Sequence, residues 1–224
     1  MKKIGLVLVA GGSGLRMGKE IPKQFIPIGN KSILQHTIDR FLSWNTTLEI
    51  VLVLPEDQID YWNSLSSDTE NTSYKICTGG KERFFSVKKG LEKLSQVDLV
   101  FIHDGVRPFV SDSTLNRCLN ALDEHSAVIP VVGVNESVRM IEGDTSASID
   151  RDLIRLVQTP QCFHYETLTG AYNVEFSPLF TDDASVVEKA GNKIFLVEGN
   201  QENIKITRPE DLNLASKLLQ RKYD

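Results

Sequence analysis

The chain has 224 residues, 41% hydrophobic and 25% charged, enough for a sizeable buried core in a soluble protein. Its formal net charge of −5 excludes a general binder of nucleic acid or anionic membrane, so any polyanion site must be a local basic cluster. Cys77, Cys118 and Cys162 are widely separated and lack CxxC or histidine spacing, which argues against a zinc site or disulfide scaffold and for reduced thiols in the cytoplasm.

Lys2-Lys3 ahead of an apolar run looks like the start of a secretory signal, but the run is short and continues into GGSGLRMGKE with no small-residue cleavage pattern. No stretch is long enough to span a membrane. Ile4–Val9 is short, rich in β-branched residues and without helical spacing, which predicts a strand buried on both faces of a parallel sheet. The following loop carries Gly11, Gly12 and Gly14, then Arg16, Lys19 and Lys23. Glycines let backbone N–H groups turn towards a ligand, and cations beside them complete a polyphosphate cradle. Two common cradles fail on spacing. The dinucleotide fingerprint G-x-G-x-x-G has Met17 where its third glycine belongs, and the P-loop fails at Ser13 and Glu20.

Strand-like and helix-like stretches then alternate. Residues 32–42 set Ile33, Thr37 and Phe41 beside Leu34, Ile38 and Leu42 on one helix face. Glu49–Leu54 is a second buried strand, 57–65 a helix, 66–73 a polar loop, 74–77 a short strand and 83–94 a helix with Phe84, Val87, Leu91 and Leu94 in one stripe. Residues 99–102 form a strand, 111–122 a helix capped by Ser111, and 127–132 another strand. Residues 137–141 and 146–150 alternate polar and apolar around Glu142-Gly143-Asp144, a hairpin that needs a surface to pack on, most economically a partner subunit. Residues 181–190 form a helix stopped by Gly191 and 193–197 a strand. Thr207 to Glu210 reads as a capping box with an early proline that opens the last helix. With no linker or repeat, the reading is one domain over 1–224 with an arm at about 134–158.

Such alternation predicts a parallel sheet with helices on both faces, whose ligands bind beyond the carboxyl ends of the strands. The turns after Val9, Cys77 and Ile102 are therefore where chemistry is expected. Thr78-Gly79-Gly80 feeds a helix start near Arg83 and Ser86, which suits a base or phosphate and equally an ordinary turn. His103-Asp104-Gly105-Val106-Arg107-Pro108 puts a carboxylate beside the cradle, suited to Mg²⁺ or to capping a turn with Arg107, and His103 reads as a packed neighbour. Arg151 and Gln158-Thr159-Pro160-Gln161 flank the arm's return, and Lys205 lies between apolar neighbours.

Ala10–Gly18 and Pro22–Gln24 fit a nucleotidyltransferase signature. The order AGGSGLRMG, PKQF, TGGKERFFSV, HDGVRPF, DR…QTPQ, TDDAS and EGNQENIKITRPEDL, over about the whole chain, resembles the 2-C-methyl-D-erythritol 4-phosphate cytidylyltransferase family. The resemblance implies a Rossmann-like nucleotidyltransferase fold, a mostly parallel twisted sheet with helices on both faces and a protruding β-hairpin arm. It further implies CTP and methylerythritol phosphate as substrates, Mg²⁺ (or another divalent metal) as cofactor, and a homodimer joined through the arm. By the same resemblance Ala10, Gly11, Gly12 and Gly14 wrap the nucleotide, Gly79, Gly80 and Ser86 contact the cytosine, and Asp104 and Gly105 lie beside ribose and metal. Arg16, Lys23 and Lys205 act on the phosphates. Arg107, Ser137, Arg151 and Thr159 match positions that bind the acceptor, Ser137 and Arg151 from across the dimer. Two departures stand out: Gly105-Val106 where the family commonly has two alanines, and Glu136-Ser137 where it commonly has Asp-Thr. The sister ribitol 5-phosphate enzyme and a non-catalytic CTP-sensing module remain alternatives.

Overall fold

The computed structural model describes residues 2–11, 21–66 and 74–221. In chain order the strands are β1 (Ile4–Val9), β2 (Pro27–Ile28), β3 (Lys31–Ser32), β4 (Glu49–Leu54), β5 (Tyr74–Thr78), β6 (Leu99–Asp104), β7 (Ala127–Gly133), β8 (Val138–Glu142), β9 (Thr145–Ile149), β10 (Arg155–Val157), β11 (Gln161–His164) and β12 (Phe195–Glu198). The helices are α1 (Ile33–Trp44), α2 (Glu56–Ser66), α3 (Arg83–Lys93), α4 (Asp112–Ala121), α5 (Tyr165–Ala171), α6 (Asp183–Lys189) and α7 (Pro209–Arg221).

The central sheet is mostly parallel. β6, β1, β4 and β5 lie side by side in that order, all parallel. β7 pairs in parallel with β12, while β10 and β11 return antiparallel and β11 joins β7 to β6. Because strand side chains alternate between faces, β1 sends Leu6 and Leu8 into one core with Leu34, Ile38 and Phe41 of α1, Trp62 of α2 and Leu115 of α4. Val7 joins Val51 and Val53 in a second core against Val87 and Leu91 of α3, Leu168 of α5 and Val187 of α6. Hence the apolar run of Ile4–Val9, with helices covering both faces.

Several boundaries differ from the sequence reading for physical reasons. β6 runs on through His103 and Asp104 because their backbones stay in register with Leu8 and Val9 of β1. The apolar pattern stops at Ile102 although the strand does not. The final helix begins at Pro209, and its cap is not the expected pairing of Thr207 with Glu210. Asp211 instead accepts from the N–H groups of Thr207 (2.7 Å) and Arg208 (2.8 Å). The helix expected at 181–190 starts at Asp183, after a capping box between Asp182 and Ser185. Ser32 and Ser111 cap α1 and α4 through their hydroxyl oxygens. β8 and β9 form the separate two-stranded arm, with Glu142 opposite Thr145 across Gly143, whose φ of 59° suits glycine.

Candidate active site

Three turns leave the carboxyl ends of β1, β5 and β6, each held by one more sheet-like hydrogen bond. Ala10 N–H donates to the Val53 carbonyl (3.0 Å), Gly79 N–H to Leu54 (2.8 Å) and Gly105 N–H to Val9 (2.9 Å). They frame a cavity of about 240 Å³ lined by Ala10, Gly11, Lys23, Gly80, Ser86, Asp104 and Lys205 among others. The Ser86 hydroxyl accepts from Gly80 N–H at 3.0 Å and fixes the second turn. A Cβ on Gly80 would lie 2.3 Å from that of Phe85, so this turn requires glycine. The buried Gln24 donates through Nε2 to the Ala10 carbonyl and to Gln58, tying the 3-10 turn that carries Lys23 to the end of β1.

Asp104 is the hub. Its Oδ2 accepts from Arg107 Nε at 3.0 Å and pairs with Lys205 Nζ at 3.2 Å. Burial disfavours the ionised carboxyl, but Lys205, Arg83 and Arg107 outweigh it and hold Asp104 well below the ordinary aspartate range. Behind it runs a chain of bonds. Asp104 N–H donates to Thr159 Oγ1 (3.1 Å), and His103 contacts that hydroxyl through Nδ1 (3.0 Å) and the Arg107 carbonyl through Nε2 (3.0 Å). A carbonyl only accepts, so Nε2 carries the proton and Nδ1 accepts from threonine. Burial pushes the His103 pKa down to about 4, in keeping with this neutral ring. Arg107 also donates to the Asn203 carbonyl (2.7 Å), and Ile206 N–H to Val106 (3.0 Å), laying the segment that bears Lys205 along the β6 loop.

A second cavity, of about 260 Å³, is lined by Arg107, Gln158, Thr159, Thr181 and Asp182, and shares Arg83, Asp104 and Lys205 with the first. Two compartments thus meet at one carboxylate and two cations. Gly79 and Gly105 lie in the turns just behind the first cavity. Ser137 and Arg151 do not reach either cavity within this chain. Ser137 is exposed just before β8, and Arg151 donates to the Asn135 carbonyl beside a separate cleft. Gly12, Gly14 and Arg16 lie outside the described residues.

Sequence reasoning gave no role to Arg83 with Asp183, to Gln24 or to Asn203. The first pair is 100 residues apart, and nothing local marks it. Among the described residues no three His, Cys, Asp or Glu converge as a metal cage. An ionised carboxylate in a cavity lined by lysines nonetheless fits Mg²⁺, which is commonly bound by one or two carboxylates plus substrate phosphates. Arg107 and Lys205 both meet Asp104 through Oδ2.

An open α/β sheet with glycine turns, lysines and a carboxylate gathered at its strand ends is the arrangement of a nucleotide-handling enzyme. Residues 4–221 match the model of the 2-C-methyl-D-erythritol 4-phosphate cytidylyltransferases, and the chain belongs to that family. A relative of that name from Bacteroides thetaiotaomicron is 48% identical, covering 97% of this chain and all of its own length. The crystal structure of 4-diphosphocytidyl-2C-methyl-D-erythritol synthase from Anaerococcus prevotii superposes with a TM-score of 0.84 at 32% identity, over 98% of this chain and 96% of that one. A Thermus thermophilus structure named for the cytidylyltransferase gives 0.74 at 31% identity, over 96% and 98%.

Proposed function

We propose that this chain transfers the cytidylyl group of CTP to 2-C-methyl-D-erythritol 4-phosphate, giving CDP-methylerythritol and pyrophosphate for isoprenoid biosynthesis. The observation that carries this reading is the pair of cavities meeting at Asp104, Arg83 and Lys205: one suits a nucleotide, the other a second phosphate, and their junction suits the reacting phosphorus. Ala10 and Gly11, with Gly12 and Gly14, wrap ribose and phosphates. Gly79, Gly80 and Ser86 face the cytosine, and Asp104 and Gly105 the ribose side. Arg107 and Thr159 bind the acceptor.

The acceptor phosphate is already anionic at neutral pH, so no general base is needed to activate it. Its oxygen attacks the α-phosphorus, the new P–O bond forms as the α–β bond breaks, and pyrophosphate carries away the electron pair. Repulsion between anions opposes the reaction. Lys23, Lys205 and Arg16 reduce it by presenting fixed positive charge where the five-coordinate phosphate develops. Asp104 would hold Mg²⁺ (another divalent ion being possible), which when bound supplies further charge neutralisation on the phosphates.

The cytoplasm is the proposed compartment, supported by three free, buried thiols. A homodimer joined through the arm is proposed because Ile141, Leu153 and Leu156 stand 73%, 79% and 54% exposed on or beside it, and such a dimer would let Ser137 and Arg151 serve a neighbour's acceptor cavity. The deciding assay is pyrophosphate release with Mg²⁺, offering CTP or ATP with methylerythritol phosphate or ribitol phosphate. Turnover confined to CTP with methylerythritol phosphate is expected. Preference for ribitol phosphate, or CTP binding with no turnover, would overturn the reading.

A further inference from the structure

We propose that Arg83 is a phosphate-binding residue of the transfer reaction, and that Asp183 and Tyr172 are positioning residues that aim its guanidinium at the junction of the two cavities. The inference rests on the proposed function for which phosphates these are.

Arg83 opens α3 and meets Asp183, at the start of α6, as a two-bond fork: Nη1 to Oδ1 at 2.9 Å and Nη2 to Oδ2 at 2.6 Å. The Tyr172 hydroxyl donates to the same Oδ1 at 2.6 Å, and Tyr172 stacks on Phe84 with ring centroids 4.7 Å apart. Asp182, next in chain, accepts from Gln161 on β11 (2.8 Å), while Gln161 Oε1 accepts from Ala184 N–H (2.9 Å). The Asp183 carboxylate is therefore held directly by Arg83 and Tyr172, and the start of α6 that carries it is tied to β11 through Gln161. Burial pushes the Tyr172 hydroxyl up and Asp183 adds to the effect, so it stays a donor at neutral pH.

The two partners are unequally covered. The Asp183 side chain is 0% exposed, whereas 27% of the Arg83 side chain remains open, and Arg83 lines both cavities. A guanidinium has five N–H groups, and the fork to Asp183 uses two. Ion pairs elsewhere in the chain, such as Lys75 with Glu49, leave both partners partly exposed. This one buries the anion and presents the cation, with donors to spare, next to Asp104 where the compartments join. Planar guanidinium is well matched to phosphate oxygens, and a fixed orientation lowers the ordering cost of using it. Spacing hid this, because the pair links segments 100 residues apart.

The test compares wild type with Arg83→Ala, Arg83→Lys, Tyr172→Phe and the double variant Arg83→Ala/Tyr172→Phe. Each is assayed for kcat, for KM of both substrates, for melting temperature, and for pyrophosphate affinity by calorimetry in Mg²⁺ buffer. Arg83→Ala is expected to bind pyrophosphate at least tenfold more weakly and to lose at least thirtyfold in kcat. Arg83→Lys, with charge but no fork, should fall between. Tyr172→Phe should lose three- to tenfold in kcat while keeping its fold, and should cost nothing further once Arg83 is alanine, the signature of action through one residue. Unchanged kcat and pyrophosphate affinity in the folded variants, with only melting lowered, would reduce the trio to a structural ion pair. If Arg83→Ala does not fold, Arg83→Lys and Tyr172→Phe decide on the same criteria. A wild-type chain that binds pyrophosphate but turns nothing over would defeat the proposed function, yet the titration would still judge Arg83.

Discussion

Asp104 and His103 are neighbours in sequence with opposite electrostatic needs. Asp104 points at Arg107 and Lys205 and stays charged, whereas His103 faces Thr159 and the Arg107 carbonyl and is kept neutral. The histidine has a measurable consequence. Its pKa falls from an ordinary 6.5 to about 4 on folding, so below pH 6.5 the unfolded chain takes up a proton that the folded chain refuses. Its contribution is complete above pH 6.5 and drains away as pH falls towards 4, by about 3 kcal/mol in all. Urea unfolding of wild type against His103→Gln should show this as a difference that narrows between those limits. A constant difference would mean that His103 does not titrate this way. For catalysis, Lys23→Ala or Arg16→Ala should lower turnover at least a hundredfold with the far-ultraviolet spectrum unchanged, since one lost donor to a developing oxyanion typically costs about 3–4 kcal/mol. Near-normal rates would remove these cations from the mechanism. At this scale the sequence was readable where candidate residues sit in contiguous loops at the strand ends, as with Ala10, Gly80 and Asp104, which line the first cavity. It was silent on Arg83 and Asn203, whose partners Asp183 and Gln158 are distant in sequence.

Elements were legible where apolar periodicity ran their full length, as in β1, β4 and α1, and misjudged where polar backbone pairing extended or displaced them. β6 gains two polar residues by register alone. α7 shows the complementary case, since Thr, Pro and Glu stood at capping-box spacing yet Asp211 formed the cap. Burial works against its charge, but the N–H groups of Thr207 and Arg208 prevail and lower its pKa. The cap is therefore complete above the ordinary aspartate range and lost as pH falls below it. Asp211→Ala should cost about 1 kcal/mol at neutral pH, a drop of about 2–4 °C in melting temperature for a chain of this size. Glu210→Ala should be nearly neutral. The reverse ranking would restore the pairing expected from sequence.

At the level of the whole molecule, layer order and sheet polarity followed from strand–helix alternation, but the antiparallel return of β10 and β11 did not. Short strands of three and four residues carry too little pattern to give direction. The arm offers a direct check on assembly. Leu153→Asp, which places a charge on the most exposed apolar side chain beside it, should convert the proposed dimer to a monomer in sedimentation and lower turnover as well, if Ser137 and Arg151 act on a neighbour's acceptor as proposed. A wild-type chain that sediments as a monomer with full turnover would dispose of the arm's proposed role.

Lys205 meets Asp104 from beyond the sheet strands and the arm in sequence, and the supporting bond from Arg107 to Asn203 spans 96 residues. A partly folded chain with β1, β4 and β6 already paired would own the turns and the carboxylate but lack Lys205 beside it. If Lys205 acts as proposed, turnover would report this long-range closure, which is entropically the slow kind. On dilution from denaturant, recovered turnover should never run ahead of the fluorescence change from Trp62, which packs into the core beside β1.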